Sequence, residues 1–246
     1  PSLFINSDAS SLGISVTGIG DFNGDGYDDL ALADHSIPQP PAGSAQFRGN
    51  VYVIPGRADF EPLHNNNLAQ LAGSQAYVFS ANNNLNLNFG RSIAAAGDVN
   101  GDGFADLLIG SPTAFTGLTY LVYGKRTITG WFFQVTDPAN GFDVTHLHGP
   151  AGAEFGSTVT SAGDFNGDGF SDLLVGMPLA YTFGEAEAGE ATIYFGGSSL
   201  PKGGTSPVTL AALTPATGLR IQAGLAGDNA GSMVKHLGDV NGDGLS

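Results

Sequence analysis

The sequence predicts an all-β protein, a β-propeller built of four-stranded antiparallel blades. Two observations lead to this class. One loop recurs four times at a spacing of 66 to 77 residues, and each copy stands among short apolar runs separated by glycine and proline. With 38 glycines and 13 prolines in 246 residues, no stretch keeps the apolar spacing of a helix for three turns. A long repeat period of this kind is typical of propellers, solenoids and arrays.

Four copies of an aspartate-rich loop define the repeats. In the first three copies an aspartate and a short apolar run follow the loop. Because such a run after a tight loop is typical of a strand, each loop is expected to join two strands of a hairpin. The copies are GDFNGDGYDDLALA from Gly20, GDVNGDGFADLLIG from Gly97, GDFNGDGFSDLLVG from Gly163 and GDVNGDGLS from Gly238.

Each repeat contains apolar runs for four short strands, which is the content of one propeller blade. The predicted strands are 92–96, 107–109, 119–123 and 142–147 in the second repeat, and 157–161, 173–175, 191–195 and 219–222 in the third. Helical turns are expected only near 68–71 and 210–213. We therefore expect one domain, residues 1–246, with three complete blades and a partial fourth. The expected repeats are approximately 7–80, 81–149, 150–223 and 224–246.

Composition limits the functional classes. The formal net charge is −15 and only eight residues are Lys or Arg, so binding to nucleic acid or to an anionic membrane surface is disfavoured. No apolar run reaches membrane-spanning length, and no membrane insertion is expected. Eleven of the 23 acidic residues stand at fixed positions of the four loops, which indicates cation binding. Since the chain has no cysteine, oxygen or imidazole must hold any metal.

The loops carry oxygen donors at alternate positions. Counted from the first aspartate, side-chain oxygens recur at positions 1, 3, 5 and 9, position 7 offers its backbone carbonyl, and glycine at position 6 permits a sharp turn. A flexible all-oxygen donor set suits Ca²⁺ better than octahedral Mg²⁺. The predicted ligands are Asp21, Asn23, Asp25, Tyr27 and Asp29; Asp98, Asn100, Asp102, Phe104 and Asp106; Asp164, Asn166, Asp168, Phe170 and Asp172; and, in an incomplete fourth loop, Asp239, Asn241 and Asp243.

Two other interpretations of the loops are weaker. A single Asp-Asn-Gly cluster is an ordinary turn, but three complete copies with identical spacing favour a metal site. An EF-hand begins with the same half loop, yet it needs a glutamate at position 12, where Leu32, Ile109 and Val175 stand, and it needs flanking helices. The sequence therefore predicts three Ca²⁺ sites, with a fourth, incomplete site near residue 240.

No other cluster has a catalytic signature, so no enzyme activity is expected. His146 and His148 alternate on a predicted strand and are interpreted as a solvent-facing or hydrogen-bonded pair in preference to a metal site. The alternating glutamates of segment 185–190 resemble paired glycosidase carboxylates, but a solvated loop is the simpler interpretation. The Trp-Phe-Phe run 131–133 is either packed in a blade, which is favoured, or an exposed platform for a sugar ring or a partner protein.

The flanking elements extend the pattern, and the chain resembles the FG-GAP repeats of the integrin alpha-subunit β-propeller and its bacterial relatives. The matching residues are Phe89-Gly90 and Phe155-Gly156 for the FG element, and Gly110-Ser111-Pro112 and Gly176-Met177-Pro178 for the GAP element. The departures are Leu12-Gly13, Ala33-Asp34 and Ala230-Gly231. The family's propeller typically has seven blades, so we expect a fragment of a longer propeller.

The resemblance implies a secreted or cell-surface module for adhesion or ligand recognition, with an extracellular protein or glycan as its partner. It also implies calcium loops on one face and ligand contacts on the opposite face, which assigns recognition to loops 37–49, 82–88, 150–154 and 177–189. The alternative is a non-catalytic, calcium-stabilised propeller segment of a larger secreted enzyme or lectin-like protein, because the family's propellers also occur in such proteins. Glycan or protein binding by the isolated chain would favour the first hypothesis.

Overall fold

Three sheets follow one another along the chain in the computed structural model of the protein. The structure describes residues 12–34, 49–58, 75–81, 88–112, 117–137, 139, 141–202 and 207–242, and the backbone of two short strands at 5–6 and 66–67. In chain order the strands are β1 (Ile5–Asn6), β2 (Leu12–Gly20), β3 (Asp29–Asp34), β4 (Asn50–Ile54), β5 (Asn66–Asn67), β6 (Tyr77–Ser80), β7 (Ser92–Gly97), β8 (Asp106–Ser111), β9 (Leu118–Val122), β10 (Phe132–Gln134), β11 (Val144–His148), β12 (Thr158–Gly163), β13 (Asp172–Met177), β14 (Glu190–Tyr194), β15 (Val208–Thr209) and β16 (Gly218–Gln222).

Each large sheet contains one blade of four antiparallel strands, which pair in chain order. The first blade contains β2, β3, β4 and β6; the second contains β7, β8, β9 and β11; the third contains β12, β13, β14 and β16. The strands β1 and β5 pair separately in parallel. The predicted all-β architecture, a partial propeller of repeated blades, is confirmed.

Two blades gain a fifth strand that the sequence did not predict. The strand β10 pairs in parallel with β6 of the first blade, although it lies between β9 and β11 of the second blade in sequence. In the same way β15, which lies between β14 and β16 of the third blade in sequence, pairs in parallel with β11 of the second blade. The connection between the third and fourth strands of a blade therefore reaches back to the preceding blade and covers its outer edge.

The core lies between the faces of neighbouring blades. Because side chains alternate between the two faces of a strand, Leu107 and Ile109 of β8 pack toward the first blade while Leu108 packs toward the third. Every residue of β8 is buried, as expected for a strand covered on both faces. Between the first and second blades four aromatic rings pack together, those of Phe22, Phe79, Phe133 and Phe142.

Helical structure in the described part of the chain is limited to one 3-10 turn, Leu210–Ala212. It falls in the predicted segment 210–213, whereas the other predicted turn, 68–71, lies outside the described residues. No helix in the described ranges is long and apolar enough to cross a membrane.

Candidate metal centre

The three complete loops occupy equivalent places in the three blades. Each joins the first strand of its blade to the second, between Gly20 and Asp29, Gly97 and Asp106, and Gly163 and Asp172. A register shift directly precedes each loop, where the first strand bulges away from its partner. Because the same hairpin carries the loop in every blade, the three loops lie at the same end of the three sheets.

Side-chain oxygens organise each loop from within. In the second loop the Asp98 carboxylate accepts hydrogen bonds from the backbone N–H groups of Asp102 and Gly103, at 3.0 and 2.8 Å. The Asn100 carbonyl accepts from the Asp102 N–H at 2.9 Å, and the Asp102 carboxylate accepts from the Phe104 N–H at 3.1 Å. The same four contacts recur in the first and third loops, so the repeated spacing produces a repeated geometry.

The chemistry of the donors fits a hard cation. A carboxylate offers about four lone pairs and an amide carbonyl about two, and the hydrogen bonds of Asp21, Asn23 and Asp25 use only part of them. Each complete loop therefore keeps free lone pairs on three carboxylates and one amide. Among the described residues, however, the structure gathers no group of three or more His, Asp or Glu side chains as a ready metal cluster. The ligand assignments stay predictions.

The aspartate at position 9 also fastens the loop to the blade. Asp106 is fully buried, and its two oxygens accept hydrogen bonds from the N–H groups of Val99 in the loop and Gly124 after β9, both at 2.9 Å. Asp29 and Asp172 make the equivalent contacts in their blades. Besides being a candidate ligand, this carboxylate connects the loop to the end of the third strand.

Burial makes the charge at position 9 unfavourable without a nearby cation. Desolvation raises the pKa of Asp29 to about 6 and that of Asp106 to about 7, and it raises the pKa of Asp172 as well. The backbone hydrogen bonds act in the opposite direction, and neighbouring loop carboxylates such as Asp102 add repulsion. A positive charge in the loop would lower these pKa values.

The loops also form the joints between blades. The carbonyl of Asp21 in the first loop accepts from the Ala105 N–H in the second at 3.1 Å, and the carbonyl of Asp98 accepts from Ser171 in the third at 3.1 Å. The phenyl ring of Phe170 covers Gly101, where an added Cβ would lie 2.6 Å from the ring. The side chain at position 7 therefore packs on the preceding loop, a role that the sequence analysis did not assign.

The fourth loop is described only in part. The Gly242 N–H donates to the Asp239 carboxylate at 2.6 Å, as the Gly101 N–H does to Asp98 at 2.7 Å. Asp239 and Asn241 lie within the described residues, and Asp243 lies outside them. The beginning of this loop follows the pattern of the complete ones, and a fourth ion at this place stays a prediction.

The histidines and the aromatic run follow the simpler interpretations. His146 and His148 stack with ring centroids 6.5 Å apart, and the His146 Nε2–H donates to the Val135 carbonyl at 2.9 Å. Burial lowers the pKa of His148, and the charge of His146 lowers it further. In the aromatic run, Phe133 is buried in the blade core while Phe132 is exposed.

For one glutamate the prediction of a solvated loop is wrong. Glu190 is fully buried on β14, where Arg220 donates two hydrogen bonds to it at 2.5 and 2.6 Å and the Gln222 amide donates one at 2.8 Å. The partners stand 30 and 32 residues away, so local alternation gave no sign of the pairing. The other two glutamates, Glu185 and Glu187, are exposed as predicted.

Three glycines donate backbone hydrogen bonds to the loops, and none of them was predicted from the sequence. Gly56, Gly124 and Gly196 donate to the position 9 carboxylates at 2.7, 2.9 and 2.8 Å. A Cβ on Gly124 would lie 2.3 Å from the Ala105 carbonyl oxygen, so only glycine allows this close approach. The available signal was a glycine two residues after the third strand of each of the three complete repeats.

Comparison with known proteins agrees with the repeated geometry. Residues 89–123 and 155–194 match the FG-GAP repeat family. The chain is 32% identical over 197 residues to integrin alpha-V of Gallus gallus, covering 77% of this chain and 16% of that protein. It is 29% identical over 162 residues to integrin alpha-PS5 of Drosophila melanogaster, covering 65% and 14%, so it spans about one sixth of the length of these relatives. The chain therefore contains FG-GAP repeats and is similar over most of its length to integrin alpha subunits.

Proposed function

We propose that this chain is a calcium-binding propeller module of a secreted or cell-surface protein, used for adhesion or ligand recognition. The observation that carries the proposal is the repeated loop: three copies offer the same oxygen donors at the same end of three blades, with the same internal hydrogen bonds. An isolated turn would not need three carboxylates in nine residues. The similarity to integrin alpha subunits supports the adhesive role.

In this proposal Ca²⁺ is structural. Its ligands in the second loop would be the side chains of Asp98, Asn100, Asp102 and Asp106 and the carbonyl of Phe104, which leave few positions for a reacting molecule. The ion supplies positive charge between carboxylates that otherwise repel one another. Since the loop carbonyls accept hydrogen bonds from the next blade, a rigid loop also stabilises the blade junction.

The recognition surface is proposed for the opposite end of the blades. Each second strand begins at a metal loop, so the segment after its other end lies away from the loops; for β13 this is 178–189. In this segment Tyr181 and Phe183 are 71% and 76% exposed. Exposed aromatic side chains beside carboxylates such as Glu185 and Glu187 can contact both apolar and polar parts of a protein or glycan partner.

The segment is held in one conformation by its backbone. Phe183 and Glu187 both have φ near +54°, a strained region that persists only where neighbouring contacts fix it. The N–H and carbonyl of Thr182 pair with those of Glu185, and the Thr182 hydroxyl donates to the Ala223 carbonyl at 2.7 Å. A fixed segment loses little entropy on binding, which suits a recognition loop.

The calcium proposal is tested by counting bound ions. We expect native mass spectrometry in millimolar calcium to show three Ca²⁺ per chain. At the lowest calcium concentration that fills the three parent sites, the combined variant Asp102→Asn with Asp168→Asn should hold fewer ions than the parent, while Asp228→Asn, an exposed aspartate outside the complete loops, should still hold three. A parent protein that binds no calcium, and melts at the same temperature in EDTA and in calcium, would disprove the proposal.

The recognition proposal is tested on immobilised glycans and extracellular matrix proteins. We expect the parent protein to bind a member of this panel, and the double variant Tyr181→Ser with Phe183→Ser to bind it at least about tenfold more weakly. The control Phe132→Ser removes another exposed aromatic ring and should bind as the parent does. Equal binding by all three proteins would exclude the segment 178–189 as the contact surface.

A further inference from the structure

The outer edge of the third blade is built like the two edges that receive a parallel strand, but it lacks such a strand among the described residues. We propose that this edge, the strand β16, binds an extended segment of a further FG-GAP repeat, namely the connection between that repeat's third and fourth strands. The arrangement would continue the interlock that joins the first blade to the second and the second to the third. It is independent of calcium and of the recognition loop.

The first two blades define how such an edge is occupied. In the first blade the Val78 N–H donates to the Trp131 carbonyl at 2.6 Å, and the Ser80 carbonyl accepts from the Val135 N–H at 2.9 Å. In the second blade β11 pairs in parallel with β15, with Leu147 opposite Val208 and His148 opposite Thr209. The inserted segment always comes from the following repeat, and it always runs parallel to the strand that it covers.

In the third blade the equivalent groups are the Arg220 N–H and the Gln222 carbonyl. The register of β16 on β14 sets this correspondence. The pairs at the two ends, Phe195 with Thr217 and Gly189 with Ala223, are hydrogen-bonded. Because hydrogen-bonded and non-hydrogen-bonded pairs alternate along an antiparallel ladder, the backbone groups of Arg220 point away from β14. No hydrogen-bond partner for these two groups is found within the described ranges. An edge of this kind is a template for strand addition.

The edge is also held ready for binding. The side chains of Arg220 and Gln222 are fixed on the buried carboxylate of Glu190, at 2.5, 2.6 and 2.8 Å. This anchor lies on the blade face toward the second blade, so it orients the edge without blocking it. A preorganised strand loses less entropy on pairing than a flexible one.

The exposed side chains on the other face of β16, which carries Leu219 and Ile221, also indicate that a further segment covers this strand. Leu219 and Ile221 are 44% and 50% exposed, whereas Phe79 and Leu147 at the position of Ile221 in the first two blades are fully buried by the blade that follows. Two adjacent, half-exposed aliphatic side chains on a strand face match a site that a further blade covers. The missing hydrogen-bond partners and the exposed apolar face therefore require the same occupant.

The occupant is defined by the segments that already serve this purpose. Trp131 stacks on Tyr77 at 5.3 Å, and Phe133 enters the core beside Phe79, so the segment presents apolar side chains at alternate positions. The suitable probe is a peptide with the sequence of residues 130–136, Gly-Trp-Phe-Phe-Gln-Val-Thr, carrying solubilising lysines at its ends. A peptide of scrambled order serves as the control.

Amide exchange measured by NMR on the 246-residue chain tests the proposal. At saturating peptide we expect exchange of the Arg220 amide to slow at least about tenfold, with no change at Val78, whose edge is occupied. The variant Ile221→Lys should lose the effect, and Val16→Lys, a matched change on a half-exposed strand position of the first blade, should retain it.

Three results would overturn the proposal. They are an Arg220 amide that exchanges equally with and without the peptide, equal protection by the scrambled peptide, and peptide binding by Ile221→Lys at parental strength. Protection of Arg220 that increases with protein concentration in the absence of peptide would assign the edge to a second copy of the chain instead. Unchanged melting temperatures of both lysine variants establish that the fold is intact.

Discussion

Two substitutions in the second loop separate the mechanical role of a carboxylate from its proposed role as a ligand. Asp106→Asn changes a fully buried group whose two oxygens each accept a backbone hydrogen bond, from Val99 and from Gly124. Asp102→Asn changes an exposed group that accepts from the Phe104 N–H. Both residues are predicted calcium ligands, but only Asp106 connects the loop to the blade.

The magnitudes follow from the hydrogen bonds. Asparagine at 106 keeps one acceptor oxygen and turns an NH₂ group toward the other backbone N–H, which leaves a buried donor unpaired at a cost of about 1–3 kcal/mol. Asparagine at 102 keeps the acceptor for Phe104 and reduces repulsion with Asp98, but it loses the hydrogen bond from the Asn100 side-chain amide. In EDTA its effect should therefore be about 1 kcal/mol or less. In saturating calcium a tenfold weaker site would cost about 1.4 kcal/mol for either variant.

The assay is urea unfolding followed by the fluorescence of Trp131, the one tryptophan of the chain, in EDTA and in calcium. It is run at pH 5, below the raised pKa of about 7 at Asp106, so that relief of a buried charge does not offset the lost hydrogen bond. We expect Asp106→Asn to lower the unfolding free energy in both conditions, and Asp102→Asn to lower it more in calcium than in EDTA. If Asp106→Asn matches the parent in EDTA, the connecting role of Asp106 is wrong. If Asp102→Asn has the same effect in both conditions, the loop holds no cation.

Three further outcomes test the surrounding contacts. The pKa of Asp106 is raised to about 7 in the folded chain, so its contribution to stability is complete below the ordinary aspartate pKa and is lost as pH rises through 7. In EDTA we expect the unfolding free energy to fall by about 1 kcal/mol or more from pH 5 to 8. Calcium should remove this loss. Gly124→Ala should cost about 1–3 kcal/mol in thermal unfolding, whereas Gly18→Ala, with open space around its Cβ, should leave the stability unchanged or raise it by less than about 1 kcal/mol. Arg220→Met should cost about 2–3 kcal/mol by stranding the buried Glu190, and adding Glu190→Gln should restore most of it; a double variant as unstable as the single one would contradict the ion-pair argument.

The sequence predicts those parts of the molecule whose structure is determined by residues nearby in the chain. The second strand of each blade follows from the apolar run directly after the loop, and the predicted 107–109 and 173–175 lie inside β8 and β13. The positive φ of Gly101 and Gly103 follows from the loop pattern itself. Each of these features is decided within about ten residues, so local propensity and pattern agree with the final fold.

The features that were missed depend on distant partners. The strand β15 has only two residues, Val208–Thr209, and nothing in them indicates pairing with a strand of another blade. The side chain of Glu190 looked solvent-exposed by its glycine- and glutamate-rich context, yet Arg220 pairs with it from another strand. Such contacts arise when blades pack, and their sequence signal is spread over 30 residues or more.

The candidate metal loops also form the contacts between neighbouring blades, so ion binding would be coupled to the packing of one blade on the next. In the second and third loops, position 7 lies on a glycine of the preceding loop, as Phe170 does on Gly101. Position 8 donates to a backbone carbonyl of that loop, as Ser171 does to Asp98. An ion that orders one loop therefore also orders the surface on which the next blade packs. Because each joint involves only neighbouring blades, loss of one of the proposed ions should loosen only the joints in which its loop takes part and leave the others intact.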